Sequence, residues 1–101
     1  MIARRWRARA TRDGFAAYRT HLFETVVPQL RRLDGFVDVY LLSGEDTDGD
    51  VLIEVMTVWS GIDAVRAFAG DEFTTAVVEP AAQAVLLDYD RTVEHLDLAQ
   101  G

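Results

Sequence analysis

The 101 residues predict an α+β fold with a four-stranded antiparallel sheet and its helices on one face, in the order β-α-β-β-α-β. Three observations predict it. The segment VLIEVMTVWS at 51–60 has the β-branched and aromatic content of a strand and is apolar on both faces. Apolar residues recur at three- and four-residue steps from Phe15 through Tyr18, Leu22, Val26 and Leu30 to Leu33, the stripe of an amphipathic helix. Turn signals, DG at 34–35 and GEDTDGD at 44–50, separate these from each other and from a second strand.

Taken in order, IARRWRAR at 2–9 alternates Ile2, Arg4, Trp6 and Ala8 against Ala3, Arg5, Arg7 and Arg9 and forms the first strand. Thr11 or Asp13 caps the helix that follows. Pro28 lacks an N–H and clashes with the preceding turn, so the helix is expected to break or kink near Val27 into two pieces. Residues 36–43 form the second strand, with Val37, Val39 and Leu41 on one side and Phe36, Tyr40 and Leu42 on the other. The third, 51–59, completes a hairpin with it. Ser60 and Asp63 resemble a capping box for a helix that carries Ile62, Val65 and Phe68 and stops at Gly70. A short helix over 71–78 is expected next, AAQAVLLDYD is ambiguous, and TVEHLDL at 92–98 is the last strand. This is the split βαβ, or ferredoxin-like, arrangement in one domain spanning 1–101.

Composition narrows the function. Half the residues are hydrophobic, and 17 acidic against 10 basic residues leave a net charge of −7, with arginine as the only basic type besides histidine. Such a surface disfavours nucleic acid, whose phosphates need a basic partner. Five arginines lie within the first twelve residues, but no apolar h-region follows and the run is read as part of the fold. There is no cysteine, hence no disulfide or thiolate, and no apolar run long enough to cross a membrane. A cytoplasmic protein is expected. DTDGD at 46–50 lacks the spacing and closing glutamate of a calcium loop, and two histidines 74 positions apart make no metal signature. No metal and no cofactor are expected.

In this topology both crossover helices cover the same face. The other face, carrying residues such as those of 51–59, is left as an apolar patch that a second sheet would cover, so a homodimer through sheet faces is expected.

The order of elements, with MIARRWR at the start, TVWSGIDAVRAFAG in the middle and VVEP…TVEHLDL at the end, resembles the antibiotic biosynthesis monooxygenase family over nearly the whole chain. The resemblance implies a dimeric α+β barrel with a ligand pocket between sheet and helices. It implies no haem: the position of the haem-ligating histidine in the haem-degrading branch falls near Val77 or Val78, and that branch's early-strand asparagine falls near Arg5. A valine cannot ligate iron. The pocket tryptophan of haem-degrading and polyketide-oxidising members corresponds to Phe68.

Glu54 is the least expected residue, a carboxylate inside an apolar strand. It can pair with Arg5 or Arg7, lie across a dimer seam, or act as a pocket base. His95, central in the last strand, titrates near neutrality and can take a phenolic proton, or can be a hydrogen-bonded strand residue. His21 is expected to face solvent. Trp6, Tyr40, Trp59 and Phe68 are candidates to contact a planar ring, or are core. Together these give an expected cofactor-independent monooxygenase of aromatic, polyketide-like small molecules. His95 and Glu54 are its acid–base residues, Arg5 its anion stabiliser, and Trp6, Tyr40, Trp59 and Phe68 its substrate contacts. The alternatives are a non-oxidative cyclase or isomerase, a ligand-binding protein without turnover, or a structural or regulatory dimer.

Overall fold

The computed structural model describes residues 1–101. Its elements are β1 (Ile2–Ala10), α1 (Arg12–His21), a π-helical turn (Leu22–Val26), α2 (Val27–Leu30), β2 (Phe36–Glu45), β3 (Val51–Trp59), α3 (Ile62–Ala69), α4 (Pro80–Gln83), β4 (Asp88–Tyr89) and β5 (Glu94–Asp97). The sheet runs β2-β3-β1-β4, with β5 also on β1, and every pairing is antiparallel. β4 and β5 occupy successive stretches of the same edge, so four strand positions are built from five strands. No helix is long and apolar enough to cross a membrane.

Register assigns the two faces. Arg4 opposite Thr57, Trp6 opposite Val55 and Ala8 opposite Ile53 point to the helices. Ala3 opposite Val58, Arg5 opposite Met56, Arg7 opposite Glu54 and Arg9 opposite Leu52 point away. The alternation on β1 is therefore a true two-face pattern. A bulge between Phe36 and Asp38 changes it on β2. Phe36 joins Val39 and Leu41 on the helix side and packs edge-on against Trp59, with centroids 5.3 Å apart, while Val37 is exposed. The expected grouping of Phe36 with Tyr40 and Leu42 is corrected by this one extra residue.

One further local expectation is refined and two are corrected. The junction expected near Val27 is present as two α-helical pieces, α1 and α2, joined by a π turn and not broken at Pro28. One turn earlier the Val27 N–H donates to the Leu22 carbonyl, a five-residue step, and the backbone stays right-handed helical throughout. A π turn accommodates the insult that a straight α-helix would meet at the missing N–H. Ser60 does not cap α3, whose N-cap is Gly61 with no side-chain bond. Residues 71–78 are not helical. They form an irregular segment pinned to the chain before β5 by a Thr75–Thr92 bridge, with the Ala76 N–H donating to Arg91 and the Val93 N–H to Thr74. The short helix begins instead at Pro80, after an extended Glu79, because proline suits a first helical position and disfavours helical backbone before it. The Thr11 side chain caps α1 as expected, accepting from the Gly14 N–H at 3.0 Å.

The buried core lies between sheet and helices. Ala8, Ile53 and Val55 of the sheet pack with Tyr18, Leu22 and Val27 of the first helix, and Trp59 packs with Leu30 and Val65 in a second cluster. On the uncovered face Tyr40, Leu42, Leu52 and Leu96 are each between 41% and 49% exposed.

Candidate active site

The space between sheet and helices is not filled. A cavity of about 300 Å³ remains. Trp6 and Arg4 of β1 with Val55 and Thr57 of β3 form its floor, Tyr18, His21, Leu22 and Val26 of the first helix one wall, Phe68 of α3 another, and residues 76–79 a cover. Most of the lining is apolar, which suits a small ligand with a hydrophobic body held by a few polar groups.

Arg4 is the most unusual of those polar groups. Its side chain emerges on the helix face because it shares strand parity with Trp6, and the residue is only 5% exposed. No carboxylate pairs with it among the ion pairs of the chain. Nη1 donates to the Phe73 carbonyl and lies 3.1 Å from His95 Nε2, Nη2 donates to the Thr75 carbonyl at 3.1 Å, and the guanidinium lies 5.7 Å from the Phe68 ring centroid. Burial lowers its pKa from the ordinary arginine value. It remains a cation, since arginine does not deprotonate in proteins.

His21 closes the polar set on the opposite wall. Its Nε2 is buried without a hydrogen bond and lies 3.4 Å from Glu79 Oε2, and its side chain is 15% exposed. Both residues line the cavity, so the expectation that His21 faces solvent is corrected. Tyr18 is buried beside it, and burial pushes its phenol well above the usual tyrosine range. Thr57 accepts the Trp59 indole N–H at 2.9 Å, which leaves its own hydroxyl proton free to donate.

The sheet divides the candidate residues named from sequence. Trp6 and Phe68 line the cavity. Trp59 lies one layer below, wholly buried and stacked on Phe68 at 5.1 Å, and supports the wall without reaching the interior. His95 sits behind Arg4. Because an arginine can only donate, His95 Nε2 accepts and its proton is on Nδ1; burial first and the Arg4 charge second lower its pKa from 6.5. Glu54, Arg5 and Tyr40 are on the uncovered face. Glu54 Oε1 is 3.1 Å from Arg7 Nε and 3.5 Å from Arg5 Nε, and Arg5 also reaches Glu94 at 3.1 Å. Within one chain, Glu54 and His95 are on opposite sides of the sheet and form no acid–base pair, and Arg5 does not reach the cavity.

Arg4, His21 and Glu79 are thus the polar residues that sequence reasoning passed over. For Arg4 the signal was its parity with Trp6. For His21 it was a position three residues after Tyr18, on the edge of the apolar stripe. Glu79 depends on the path of an irregular segment and left no periodic signal. No three His, Asp or Glu side chains converge in a metal-ligating cluster.

No protein-family model matches the chain, and no curated protein matches it in sequence. Solved structures do. SnoaB, a cofactor-independent oxygenase from Streptomyces nogalater, is 21% identical with a TM-score of 0.62, covering 99% of this chain and 95% of that one. Rv0793 from Mycobacterium tuberculosis is 19% identical with a TM-score of 0.59, covering 99% and 96%. A candidate antibiotic biosynthesis monooxygenase from Deinococcus radiodurans is 16% identical with a TM-score of 0.56, covering 100% and 95%. Identities this low speak for the backbone and leave the chemistry to the residues. The chain has the α+β, ferredoxin-like fold of the antibiotic biosynthesis monooxygenases.

Proposed function

We propose that the protein is a cofactor-independent monooxygenase of an aromatic, polyketide-like small molecule, acting in the cavity between sheet and helices. The observation that carries this reading is the cavity itself: about 300 Å³, bounded by Trp6 and Phe68, with His21 beside Glu79 at one wall and the buried cation Arg4 in the floor. The resemblance in fold to a cofactor-independent oxygenase supports it.

An electron-rich phenol or anthrone becomes a reductant once deprotonated. The His21–Glu79 pair takes the proton, and the substrate anion passes one electron to dioxygen. The resulting substrate radical and superoxide combine to form a C–O bond, giving a peroxide anion that takes the proton back from the His21–Glu79 pair. Loss of water from it leaves a carbonyl, so one oxygen atom enters the product and the other leaves as water. The protein's part is orientation in an apolar slot, with Arg4 as the buried cation that holds the anionic substrate. His95 holds the Arg4 guanidinium from behind.

A second reading keeps the cavity and drops the oxidation. Phe68 presents a ring with no N–H to donate, and proton transfer alone would make a cyclase or isomerase from the same residues. Oxygen uptake separates the two. Metal-free protein incubated with a panel of anthrones and naphthacenones is expected to consume one dioxygen per product, measured with an oxygen electrode. Product formation without oxygen uptake would establish the second reading, and neither would refute both.

The working form we propose is a homodimer closed sheet to sheet. Support comes from the half-exposed Tyr40, Leu42, Leu52 and Leu96 on the face the helices leave open.

A further inference from the structure

The donor pattern around Arg4 points to more than a generic anion stabiliser. A guanidinium carries five N–H donors in a plane. The protein engages it at Nη1 through Phe73 and His95 and at Nη2 through Thr75. Its Nε–H makes no hydrogen bond within the chain, and Nη2 has a second proton beyond the one given to Thr75. Nε and Nη2 together form one edge of the guanidinium, the edge whose two parallel donors match the two oxygens of a carboxylate. An aromatic ring lies 5.7 Å away, and no acid is paired with the charge.

Charge balance points the same way. Among the lining residues the charged or titratable groups other than tyrosine are Arg4, His21 and Glu79. Glu79 lies beside His21, which leaves Arg4 as the cation without an anionic partner. Leaving a buried charge unpaired is unfavourable, by several kcal/mol on general grounds. The chain carries a net charge of −7 and pairs Arg5, Arg7, Arg9, Arg12 and Arg31 with acids; Arg19, Arg32, Arg66 and Arg91 are unpaired but exposed, so Arg4 alone among the arginines is both buried and unpaired.

We infer that the cavity binds an aromatic carboxylate, its carboxyl group seated side-on against Nε and Nη2 of Arg4 and its ring system lying between Trp6 and Phe68. The inference rests on the cavity being a small-molecule site, as proposed above, but not on any turnover there. Discrimination would then come from a fork that a neutral amide cannot satisfy: one of its two heteroatoms is a donor and meets an N–H head-on.

Calorimetric titration of the purified protein with anthracene-2-carboxylate, anthracene-2-carboxamide and 2-hydroxyanthracene tests this without needing the natural substrate. The carboxylate is expected to bind about 30-fold more tightly than the carboxamide and the phenol, the size of one charged hydrogen-bonding partner. In Arg4→Met the preference is expected to vanish while affinity for the carboxamide is retained. Should that variant fail to fold, the comparison of ligands on the unaltered protein decides alone. Equal affinities for carboxylate and carboxamide would overturn the inference and leave the cavity reading intact. Failure of all three to bind would overturn both, and a carboxylate preference that persists in folded Arg4→Met would show the acid to be held elsewhere.

Discussion

Arg4 and Arg5 differ by one position and by the whole thickness of the sheet, whereas the two histidines, both on the helix side, differ in what lies against Nε2. His21 borders the cavity with an Nε2 that makes no hydrogen bond and lies 3.4 Å from Glu79 Oε2, whereas His95 Nε2 is engaged by Arg4. Replacing His21 by Ala is therefore expected to lower kcat about 100-fold or more, the usual worth of a positioned acid–base residue, with little change in binding of a ring ligand. Steady-state oxygen uptake alongside calorimetry checks it, and an unchanged kcat would remove His21 from the mechanism. For His95 a different signature is expected. Its folded pKa is below 6.5, so between that lower value and 6.5 the unfolded chain binds more protons than the folded one. Stability then rises with pH across this window and is lost as pH falls through it. Urea midpoints at pH 7.5 and 5.0 should differ less for His95→Gln than for the parent protein. These assignments were only partly legible in the sequence. Alternation showed which residues share a face of β1, but not which face the helices would cover, so Arg5 and Glu54 were as eligible as Arg4. Glu54 sits where it does because Arg5 and Arg7 flank it on the uncovered face, 3.5 and 3.1 Å away.

Among the elements, those set by local patterns were legible and those set by tertiary contacts were not. β1, β2, β3 and α3 follow from alternation, periodicity and turn residues that lie within each segment. The π turn at Leu22–Val26 does not: it reconciles Pro28 with a helix whose two ends both bury apolar residues, and burial of Leu22, Val27 and Leu30 outweighs the local break signal. The segment 71–79 is held open by Arg4 and by the strand next to it, neither of which is near in sequence. Two glycines separate turn chemistry from packing. Gly35 and Gly49 have φ of 83° and 82°, both left-handed. At Gly35 a Cβ would also meet Ala64 Cβ at 2.5 Å and Ser60 Oγ at 2.7 Å, whereas at Gly49 it would meet nothing. Gly49→Ala should cost about 1 kcal/mol, the backbone penalty alone. Gly35→Ala adds overpacking where the first helix hands over to β2 and should cost about 3 kcal/mol. Equilibrium urea unfolding of both variants would show whether this junction is as tight as the distances require; equal losses would mean that it is not.

For the whole molecule the question is how the uncovered face is protected. It is neither a plain hydrophobic patch nor an ordinary polar surface: Tyr40, Leu42, Leu52 and Leu96 surround the Arg5–Glu54–Arg7 cluster, which continues through Arg5 to Glu94. In an isolated subunit that cluster is open to water, and exposed ion pairs are worth only about 0.2–1 kcal/mol. Between two sheets it would be desolvated, and removal of one partner from a buried pair costs about 3–5 kcal/mol. The dimer proposal therefore makes Glu54 a reporter. Glu54→Gln keeps the shape and removes the charge that neutralises Arg5 and Arg7. In a dimer it should weaken association strongly while leaving the fold of each subunit, read by the buried Trp59, unchanged. Sedimentation velocity at micromolar concentration is expected to find a dimer for the parent chain and a shift toward monomer for Glu54→Gln and for Leu42→Asp with Leu52→Asp. A parent chain that sediments as a well-folded monomer would refute the dimer, and the cavity, which lies wholly on the other side of the sheet, would then have to function in a single subunit.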